Sequence, residues 1–497
     1  MESSMNWLAI YPEILLLGMA CAIALVDLFV TSPKRTATYG LTLMTLVGIG
    51  ALHLAYLKGG ATLYAMDRMV VTDPMGHLLA FFATLAVGVT LVYARPYAAD
   101  RDMLKGELFT LSLFVLLGVS VMVQANHFLV VYLGLELMTL SLYAMVALRR
   151  DNLNATEAAM KYFVLGALAS GFLLYGLSMM YGATGSLEIG EVFRAIGTGQ
   201  INKQVLVFGV VFVVAGLAFK LGVVPFHMWV PDVYHGAPTA VTLMIAGAPK
   251  LAAFAITIRL LVEGMLGLAI DWQQMLMVLS VASMVIGNLA AIAQSNLKRM
   301  LAYSAIGQLG FMLLGLTPTV VFGNTFSAAN GYSSAMFYLV TYVLTTLASF
   351  GVIMVLARQG FECDEIDDLR GLNKRSPWLA GVMAVVMFSL TGIPPTVGFY
   401  AKLAVLQSLV STSATPYVVL AIVAVLLSFV AAYYYLRVVK VMYFDEPVDA
   451  ALGVHEPVSL HVRAVLAVNG AAVLGLGLLP GGLMAACAEA IRITLAT

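Results

Sequence analysis

The sequence predicts an all-α polytopic membrane protein. Hydrophobic residues make up 61% of the 497 residues, and Asp, Glu, Lys and Arg together only 10%, against about 25% in soluble domains. Apolar segments of about 20 residues, the length that crosses a hydrocarbon core as a helix, recur along the chain. The alternating pattern of a lipid-facing barrel is absent, so helices are expected to satisfy the backbone within the lipid.

Composition and motifs exclude several other classes. The net charge of zero gives no indication of a nucleic-acid partner. Cys21, Cys363 and Cys487 lie far apart without a CxxC pair, so a metal site, haem attachment or a disulfide framework is not expected. Neither a dinucleotide-binding glycine motif after a strand nor a phosphate loop occurs. Redox chemistry and ATP hydrolysis are therefore expected on other chains.

Apolar runs between polar breaks predict about fourteen spans. Residues 1–9 carry no Lys or Arg, so the basic start of a cleaved signal peptide is missing and the first span is expected to be retained. The seventh and twelfth spans are too long for one straight helix and contain proline. The predicted spans are 10–30, 38–57, 73–94, 106–124, 127–148, 158–181, 204–236, 239–262, 275–294, 299–316, 332–357, 377–411, 415–442 and 464–490.

The basic residues predict the orientation of these spans. With the N-terminus outside, sixteen of the 26 Lys and Arg would lie in inward loops and five in outward segments. Inward loops of membrane proteins are enriched in Lys and Arg, so both termini are expected on the outer, periplasmic side. The remaining five basic residues lie inside predicted spans; they are Lys161, Lys220, Lys250, Arg259 and Lys402.

Charged side chains inside the spans indicate function. A lysine at the bilayer centre costs about 2.5–3.5 kcal/mol on insertion scales, so several lysines and Glu136 are expected to face a hydrated or paired interior. Because burial disfavours the charged form of lysine, a lysine beside a movable acid can release and recapture a proton. A proton relay needs this behaviour.

Lys220 stands where a long apolar helix is predicted to break. It belongs to the stretch "LAFKLGVVPFHMWVPDVYHGAPTAV" and precedes Pro225, which cannot donate to the carbonyl four residues back. A break is expected between Gly222 and Pro231, with the freed carbonyls and the lysine in one polar pocket, as discontinuous membrane helices arrange around ions. The alternative is a lysine that snorkels from a helix end.

Three further charges share this central placement. Lys250 follows Pro249 midway along the eighth span, and Glu136 is central in the fifth. Glu136 is expected either to be a structural partner of a lysine or to modulate its charge. Lys402 follows the double proline of "SLTGIPPTVGFYAKLAVLQ" and repeats the pattern at Lys220. Interrupted segments in two halves of a membrane protein indicate an internal repeat and its transport sites.

Other ionisable residues are weaker candidates. Lys161 begins the sixth span and could snorkel inward, whereas His227 lies just past the break and could pass a proton between lysines. Asp232 and His235 are expected to cap or solvate the inner mouth. Ordinary topology signals explain Lys298 and Arg299.

Four ordered segments resemble the antiporter-like membrane subunits of bacterial proton-pumping NADH:quinone oxidoreductase, respiratory complex I. They are "KLGVVPFHMWVPDVYHGAPTAV", "GAPKLAAFA", "NLKRMLAYSAIGQLGFM" and "GIPPTVGFYAK". The resemblance covers nearly the whole chain. The chain leaves no room for the long lateral helix of the subunit L branch, and Lys402 stands where the subunit M branch carries a glutamate.

The resemblance implies a fourteen-helix fold with two inverted five-helix repeats, each with a proline-broken helix. Residues 1–105 would form an N-terminal three-helix segment and 464–497 a C-terminal helix. The repeats would be 106–262 and 275–442, which hold spans four to eight and nine to thirteen.

The resemblance also implies roles for the buried charges. Glu136 and Lys220 would be the ion pair, Lys250 the central relay and Lys402 the group on the outward exit side. His227 would bridge Lys220 and Lys250, and a hydrated axis along the membrane plane would connect these groups. Lys161 is a less certain member of the relay.

As part of such a complex, the chain would be a subunit of an H⁺-translocating NADH:quinone reductase in the bacterial cytoplasmic membrane. No cofactor is expected on this chain, because FMN, iron–sulfur clusters and quinone lie on other subunits of the complex it resembles. The expected partners are the antiporter-like subunit M, the small subunits A, J and K, and lipids.

Two alternatives stay open at the level of sequence. The chain could be a subunit of a Mrp-type cation/proton antiporter, which shares the fold and the lysine pattern. It could also be a membrane scaffold that pumps nothing and whose charges only pair.

Overall fold

The computed structural model describes residues 5–321, 328–447 and 458–496, without the side chains of 328 and 329. Residues 1–4, part of the segment that argues against a signal peptide, lie outside that range. The described chain is helical apart from one small antiparallel hairpin, β1 (Leu63–Ala65) and β2 (Val70–Thr72). The predicted fold class, an all-α membrane protein, is therefore confirmed.

The first half follows the first eight predicted spans, with one addition. A short helix with one buried face, α7, lies between the sixth and seventh spans, where the sequence reading has only a connection. The helices are α1 Tyr11–Asp27, α2 Thr36–Gly59, α3 Pro74–Ala99, α4 Gly106–Val123, α5 Phe128–Val146, α6 Leu153–Thr184, α7 Ile189–Gly197, α8 Lys203–Leu221, α9 Trp229–Gly236, α10 Thr239–Ala246 and α11 Ala248–Thr257, which continues as the π-helical segment Ile258–Gly264.

The second half contains the remaining spans. The last predicted span, 464–490, is divided into two helices at Pro480, whose ring cannot continue the ladder of hydrogen bonds. The helices are α12 Ala269–Ile292, α13 Leu297–Leu314, α14 Ala328–Leu356, α15 Leu372–Arg375, α16 Pro377–Thr391, α17 Val397–Val410, α18 Thr415–Phe444, α19 Leu460–Leu478 and α20 Gly481–Leu495, with 3₁₀ turns at Leu266–Leu268 and Ile366–Leu369.

Eleven helices of the described chain are long and apolar enough to cross a membrane. The helices α16 and α17 are shorter apolar pieces, and together they form the predicted twelfth span. The helices α1 and α13 occupy the predicted first and tenth spans. The number of fourteen spans stays a prediction.

Two helices break at a glycine, one in each half of the chain. Gly222, with φ of 81°, ends α8, and Gly392, with φ of 90°, ends α16. Each caps its helix in the same way: Val223 N–H donates to Ala218 O at 3.0 Å, and Ile393 N–H donates to Phe388 O at 3.0 Å. Only glycine takes a left-handed C-cap without a steric penalty. The predicted break between Gly222 and Pro231 is present.

Glycines also let two pairs of neighbouring helices pack closely. A Cβ on Gly118 of α4 would lie 2.7 Å from the carbonyl oxygen of Gly134 on α5, and one on Gly287 of α12 would lie 2.8 Å from the amide nitrogen of Gly307 on α13. Association in lipid relies on close backbone packing rather than on expelled water. These glycines therefore set the spacing of α5, which carries Glu136, against α4, and of α12 against α13.

A carboxylate ties four segments together on the side predicted to face inward. Glu362, between α14 and α15, accepts bonds from Tyr97 Oη at 2.8 Å, Arg101 Nε at 3.0 Å and Arg149 Nη1 at 3.1 Å. The Tyr97 hydroxyl in turn accepts the Thr239 N–H at 3.0 Å. Burial alone would raise the pKa of the Glu362 carboxyl, but the bonds and charge of Arg101 outweigh burial and hold it below its usual range.

We predict that Glu362→Gln destabilises the fold at neutral pH. The pKa of Glu362 is lower in the folded protein than the ordinary carboxyl value near 4, so its ionisation stabilises the fold above that pH. This contribution is lost as the pH falls through the lowered pKa. Thermal unfolding of the detergent-solubilised protein should show a gap between wild type and variant that closes in acid. The exposed Asp367, replaced by Asn, is the control. A gap of equal size at every pH would contradict the prediction.

Candidate functional site

Three of the lysines predicted inside spans are buried in the core. The exposed fractions are 8% for Lys220, 2% for Lys250 and 9% for Lys402. Each amine lies within 6 Å of the centre of an aromatic ring, a distance at which a cation is attracted to the ring face. The structure therefore directs these charges into the protein and away from the lipid.

Lys250 lies at the carbonyl end of the first broken helix. It stands in the first turn of α11, just after the interruption at Gly247, and its Nζ donates to Leu221 O at 2.8 Å and to Lys220 O at 3.2 Å. These are the last carbonyls of α8, where the helix dipole is negative. The Lys250 ammonium thus satisfies backbone groups that the break at Gly222 leaves without helical partners.

Lys402 occupies the same position at the second broken helix. Its Nζ donates to Thr391 O at 2.9 Å and to Leu390 O at 3.2 Å, the last carbonyls of α16. The sequence pattern relates Lys402 to Lys220, because both stand near a proline break. The contacts instead relate it to Lys250, because both lysines bind the carbonyl end of a helix that stops at a glycine.

Lys220 and Glu136 lie near each other without touching. Lys220 is in the last turn of α8, and its nearest polar partner is Ser170 Oγ of α6 at 3.4 Å. Glu136 on α5 is half-buried, with one oxygen, Oε1, that is enclosed and accepts no hydrogen bond. Within the described residues no ion pair joins the two, although Lys220 lies within the electrostatic range of Glu136. The predicted pair is therefore separated in this conformation.

His227 is the residue that the resemblance implies as a bridge between Lys220 and Lys250. It lies in the loop between α8 and α9, is half-buried, and its Nδ1 is enclosed without a hydrogen bond. The structure records no hydrogen bond from His227 to either lysine within the part of the chain that it describes. Lys250 instead reaches the carbonyl of Lys220 directly.

Lys161 is in an ion-pair network at the edge of the protein. Its side chain is 42% exposed and its Nζ lies 2.8 Å from both Glu157 and Asp232. Asp232 also accepts a bond from Arg299 at 2.9 Å, so it joins α9 to α6 and to α13. Exposed pairs of this kind contribute little stability, about 0–1 kcal/mol.

Lys298 is a correction to the sequence reading, which explains it as a topology signal. It is only 4% exposed, and its Nζ donates to Ala237 O at 2.7 Å and to His235 O at 3.1 Å. The lysine thus binds the carbonyls at the end of α9. Residues three, four and seven positions apart share one face of a helix. Lys298 shares its face with the buried Leu301, Ala302 and Ala305, and this spacing is the signal that could have found it.

A chain of uncharged polar groups extends from Lys402 and was missed by the sequence reading. Gln308 Nε2 donates to Leu390 O at 2.8 Å and to Tyr435 Oη at 2.9 Å, and Tyr435 bonds to Ser304. A cavity of about 10 Å³, enough for one water, lies beside them. Its lining includes Gln308, Tyr338, Thr341, Tyr342, Thr345 and Lys402.

Tyrosines continue the polar lining toward Lys250. Tyr234 of α9 lies beside Trp229, with ring centroids 6.4 Å apart, and Trp229 lies 5.1 Å from Lys250 Nζ. The Tyr234 hydroxyl is buried without a hydrogen-bond partner and lies within electrostatic range of Tyr342. Hydroxyl groups therefore line the interval between the two lysines that bind helix ends.

No metal site is evident in the described ranges. They contain no group of three or more His, Cys, Asp or Glu side chains that could hold an ion. The three cysteines are free thiols. The chemistry that this arrangement can perform is the transfer of protons between amines, a carboxylate, hydroxyls and water.

Comparison with known proteins places the chain in a family. The profile described as "NADH:quinone oxidoreductase/Mrp antiporter, TM" matches residues 125–428. NADH-quinone oxidoreductase subunit N of Polaromonas naphthalenivorans is 64% identical, covering 99% of this chain and 98% of the relative. The protein of the same name from Herminiimonas arsenicoxydans is 63% identical, covering 100% of both.

Solved structures agree with this placement. A chain of respiratory complex I from Thermus thermophilus with bound aureothin is 31% identical, with a TM-score of 0.79, covering 96% of this chain and all of that one. A chain of the Mrp complex from Dietzia superposes with a TM-score of 0.85 but is only 21% identical, covering 98% of this chain and 97% of that one. The second likeness shows a common fold alone.

The chain belongs to the antiporter-like membrane proteins shared by NADH:quinone oxidoreductases and Mrp antiporters. Within that class it belongs to the NADH-quinone oxidoreductase subunit N family, so it is a proton-translocating membrane subunit of complex I. The sequence resemblance to complex I is thereby confirmed, and its choice against the L and M branches agrees with the relatives.

We predict that Gln308→Leu interrupts the polar chain at Lys402 and lowers coupled proton transport. The substitution removes the amide that bonds Leu390 O, Tyr435 and Tyr338. Leu390 O keeps its bond from Lys402, but the buried Tyr338 hydroxyl loses its acceptor, which costs about 1–3 kcal/mol. Proton uptake per NADH oxidised, measured in vesicles that hold the assembled complex, should fall. The exposed Gln407 on α17, replaced by Leu, is the control, and equal ratios in the two variants would contradict the prediction.

Proposed function

We propose that this chain carries protons across the membrane through Glu136, Lys220, Lys250 and Lys402, driven by quinone reduction in other subunits. The observation that supports the relay most directly is the paired geometry of Lys250 and Lys402. Each amine is buried and bound to the carbonyl end of a helix that stops at a glycine. An ammonium is favoured there by the helix dipole and disfavoured by the lack of water.

This balance allows each lysine to change protonation at a small cost. The carbonyls and the aromatic ring stabilise the charged amine, and burial opposes them. A nearby charge then decides the outcome, since two unit charges 4 Å apart interact by about 4 kcal/mol at an effective dielectric of 20. In the proposed cycle the approach of Glu136 favours the charged form of Lys220, and separation releases the proton toward Lys250 and then Lys402.

The separation of Glu136 from Lys220 in the structure fits one state of that cycle. Glu136 lies on the face of α5 that also carries exposed Leu129, Leu133 and Leu140. A charge change in a neighbouring subunit at this face would act on the carboxylate and, through it, on Lys220. Coupling of this kind requires that the neighbour interact differently with the two positions of Glu136.

His227 and Lys161 complete the proposed relay with smaller roles. The enclosed Nδ1 of His227 has no hydrogen-bond partner, so a water molecule or a moved side chain can bond to it when the break between α8 and α9 rearranges. Lys161 is exposed and paired with Asp232, which suits a role in holding α9 in place beside the inner mouth.

We propose that the chain has four parts: residues 1–105, two inverted repeats at 106–262 and 275–442, and a C-terminal part at 464–497. The matched glycine caps of α8 and α16 support the two repeats. We also propose that both termini face the periplasm across the bacterial cytoplasmic membrane. The partners would be subunits M, A, J and K and lipids, and FMN, iron–sulfur clusters and quinone would lie on other subunits.

The alternative of a subunit in a Mrp-type cation/proton antiporter shares the fold, whereas the relatives that are 64% and 63% identical favour complex I. The antiporter alternative predicts that loss of the chain impairs growth at high sodium and alkaline pH, whereas our proposal predicts loss of NADH-linked respiration. Copurification with NADH-oxidising iron–sulfur subunits would support complex I.

We predict that Lys220→Ala lowers coupled pumping while the complex still assembles. The variant loses the amine that Glu136 acts upon, and it leaves the carbonyls of α8 bound to Lys250. Proton-to-electron ratios in reconstituted vesicles measure the effect. Wild-type pumping by this variant would show that Lys220 is not in the relay.

The double variant Glu136→Gln with Lys220→Met distinguishes a relay from a scaffold. It removes both charges and keeps the size of the side chains, so a scaffold in which the charges only pair would tolerate it. The relay predicts that coupled pumping is lost even where assembly and NADH oxidation are normal. Normal pumping would favour the scaffold.

A further inference from the structure

A buried ion cluster lies apart from the lysines, at the end of the molecule predicted to face outward. Arg259 of the π-helical segment is 1% exposed, and its Nη1 lies 2.7 Å from Asp73 Oδ2 and 2.8 Å from Glu263 Oε1. Its Nη2 also donates to Val123 O, the end of α4, at 3.0 Å. Asp73 caps α3 through Gly76 N–H at 2.8 Å.

The cluster carries one more acid than base. Arg259 contributes +1 and the carboxylates of Asp73 and Glu263 contribute −2, which leaves −1 when all three are ionised. Asp73 is buried, 1% exposed, and is saturated by Arg259, by Gly76 N–H and by the Thr494 hydroxyl at 3.0 Å. Glu263 is 19% exposed, so the unbalanced charge belongs to the acid that water can reach.

The other charged groups around the cluster do not neutralise it. His77 of α3 lies within electrostatic range of Asp73 and Arg259, and its Nδ1 is 3.2 Å from His53 Nδ1 of α2. A cavity adjoins the cluster, and the two other arginines that line it, Arg68 and Arg194, have acids of their own. These pairs are Arg68 with Glu188 at 2.7 Å and Arg194 with Glu191 at 2.5 Å.

Glu263 lines a cavity of about 540 Å³. The cavity is formed where the β1–β2 hairpin, α7, α14 and α20 meet the end of the π-helical segment. Besides Glu263, its lining includes Tyr64, Arg68, Phe193, Arg259, Tyr332 and Thr494. A space of this size with charged and hydroxyl side chains in its lining is large enough to admit water, so a proton on Glu263 would have direct access to it.

Lys250 and Glu263 lie on one continuous helical rod. Thirteen residues separate them along α11 and the π-helical segment, or about 20 Å at the rise of an α-helix. Segments with π-helical turns occur often at functional sites, and this one begins one residue after Thr257 and carries both Arg259 and Glu263.

The interval between these two groups is apolar. A void of about 10 Å³ lies there, bounded by Leu221, whose carbonyl binds Lys250, and by Thr257. Leucines form most of its lining, and hydrophobic constrictions in membrane pores open and close by wetting. We call this the leucine plug; its leucines are Leu217, Leu221, Leu261, Leu276, Leu279 and Leu313.

We propose that Glu263 is the group that receives protons from Lys250 and releases them into the outward cavity, with the leucine plug as the gate. The inference rests on the proposed relay through Lys250 and adds an exit to it. When the plug is wetted, the Lys250 ammonium loses a proton to a water chain and the Glu263 carboxylate gains one. Lys250 is then a neutral amine and Glu263 a neutral acid, which yields its proton to cavity water when the plug has dried.

Arg259 and Asp73 act as positioning residues in this exit. Arg259 holds the Glu263 carboxylate at the cavity, and Asp73 balances the arginine so that Glu263 keeps the uncompensated charge. The outward release then occurs in the first half of the chain, near Lys250, rather than only near Lys402.

The test measures protons moved per electron by the assembled complex in sealed vesicles. Glu263→Gln keeps the size of the side chain and a hydrogen bond to Arg259 but cannot hold the transferred proton as an acid, so this subunit's share of the proton-to-electron ratio should be lost. Glu191→Gln removes a half-buried acid that pairs with Arg194 beside the same cavity, and it should keep the wild-type ratio. A wild-type ratio in an assembled Glu263→Gln complex would overturn the proposal.

A second variant tests the gate even where Glu263→Gln fails to assemble. Leu261→Ser places a hydroxyl in the leucine plug and should raise the passive proton leak of vesicles without NADH, whereas the volume-conserving Leu261→Met should not. Adding Glu263→Gln to Leu261→Ser should reduce that leak. An unchanged leak in Leu261→Ser vesicles would overturn the gate.

The exit and the relay fail in distinguishable ways. If Lys220→Ala loses pumping while Glu263→Gln keeps it, the relay stands and the exit is elsewhere. If both variants pump at the wild-type ratio, the relay itself is wrong.

Discussion

The structure depends on one recurring interaction, a buried lysine ammonium bound to the carbonyl end of an interrupted helix. The break at Gly222 exposes Lys220 O and Leu221 O within a lipid-embedded core, where each unpaired carbonyl is costly. Lys250 satisfies both, as Lys402 does for the break at Gly392. The broken helix and the buried lysine stabilise each other, because the helix end needs a hydrogen-bond donor and the lysine needs acceptors.

This mutual dependence explains how the same contact can serve stability and transport. A lysine that has lost its proton still donates to a carbonyl, but without the charge that makes such a bond strong. The helix end is therefore held more weakly in the deprotonated state, so proton movement is tied to how firmly the ends of α8 and α16 are held. Lys298, bound at the end of α9, extends the same principle to the far side of the first break.

The sequence predicts the charges well and their partners poorly. The sequence makes three lysines conspicuous, Lys220, Lys250 and Lys402, because a charge within an apolar segment is costly unless it is paired or hydrated. Glycine and proline residues mark the helix breaks beside Lys220 and Lys402. Gln308, Tyr338 and Tyr435 carry no such signal, because uncharged polar residues are ordinary in a packed helix. Lys298 was missed because it stands beside Arg299 at a predicted loop, where only the helical face separates a buried lysine from a solvated one.

An apolar connection between Lys250 and the cluster of Asp73, Arg259 and Glu263 fits the proposed transfer. A continuous chain of polar groups from Lys250 to Glu263 would pass protons in both directions, and the membrane potential would drain through it. The leucine plug separates two sites that each bind protons, so transfer requires a transient wetting that the charge state of the relay can control. The cluster of Asp73, Arg259 and Glu263 also joins α3, α4 and the π-helical segment. These contacts hold one side of the leucine plug in place. A barrier of packed leucine between Lys250 and Glu263 thus allows the transfers to occur in order. A continuous chain of hydroxyl groups in that interval would let protons flow back.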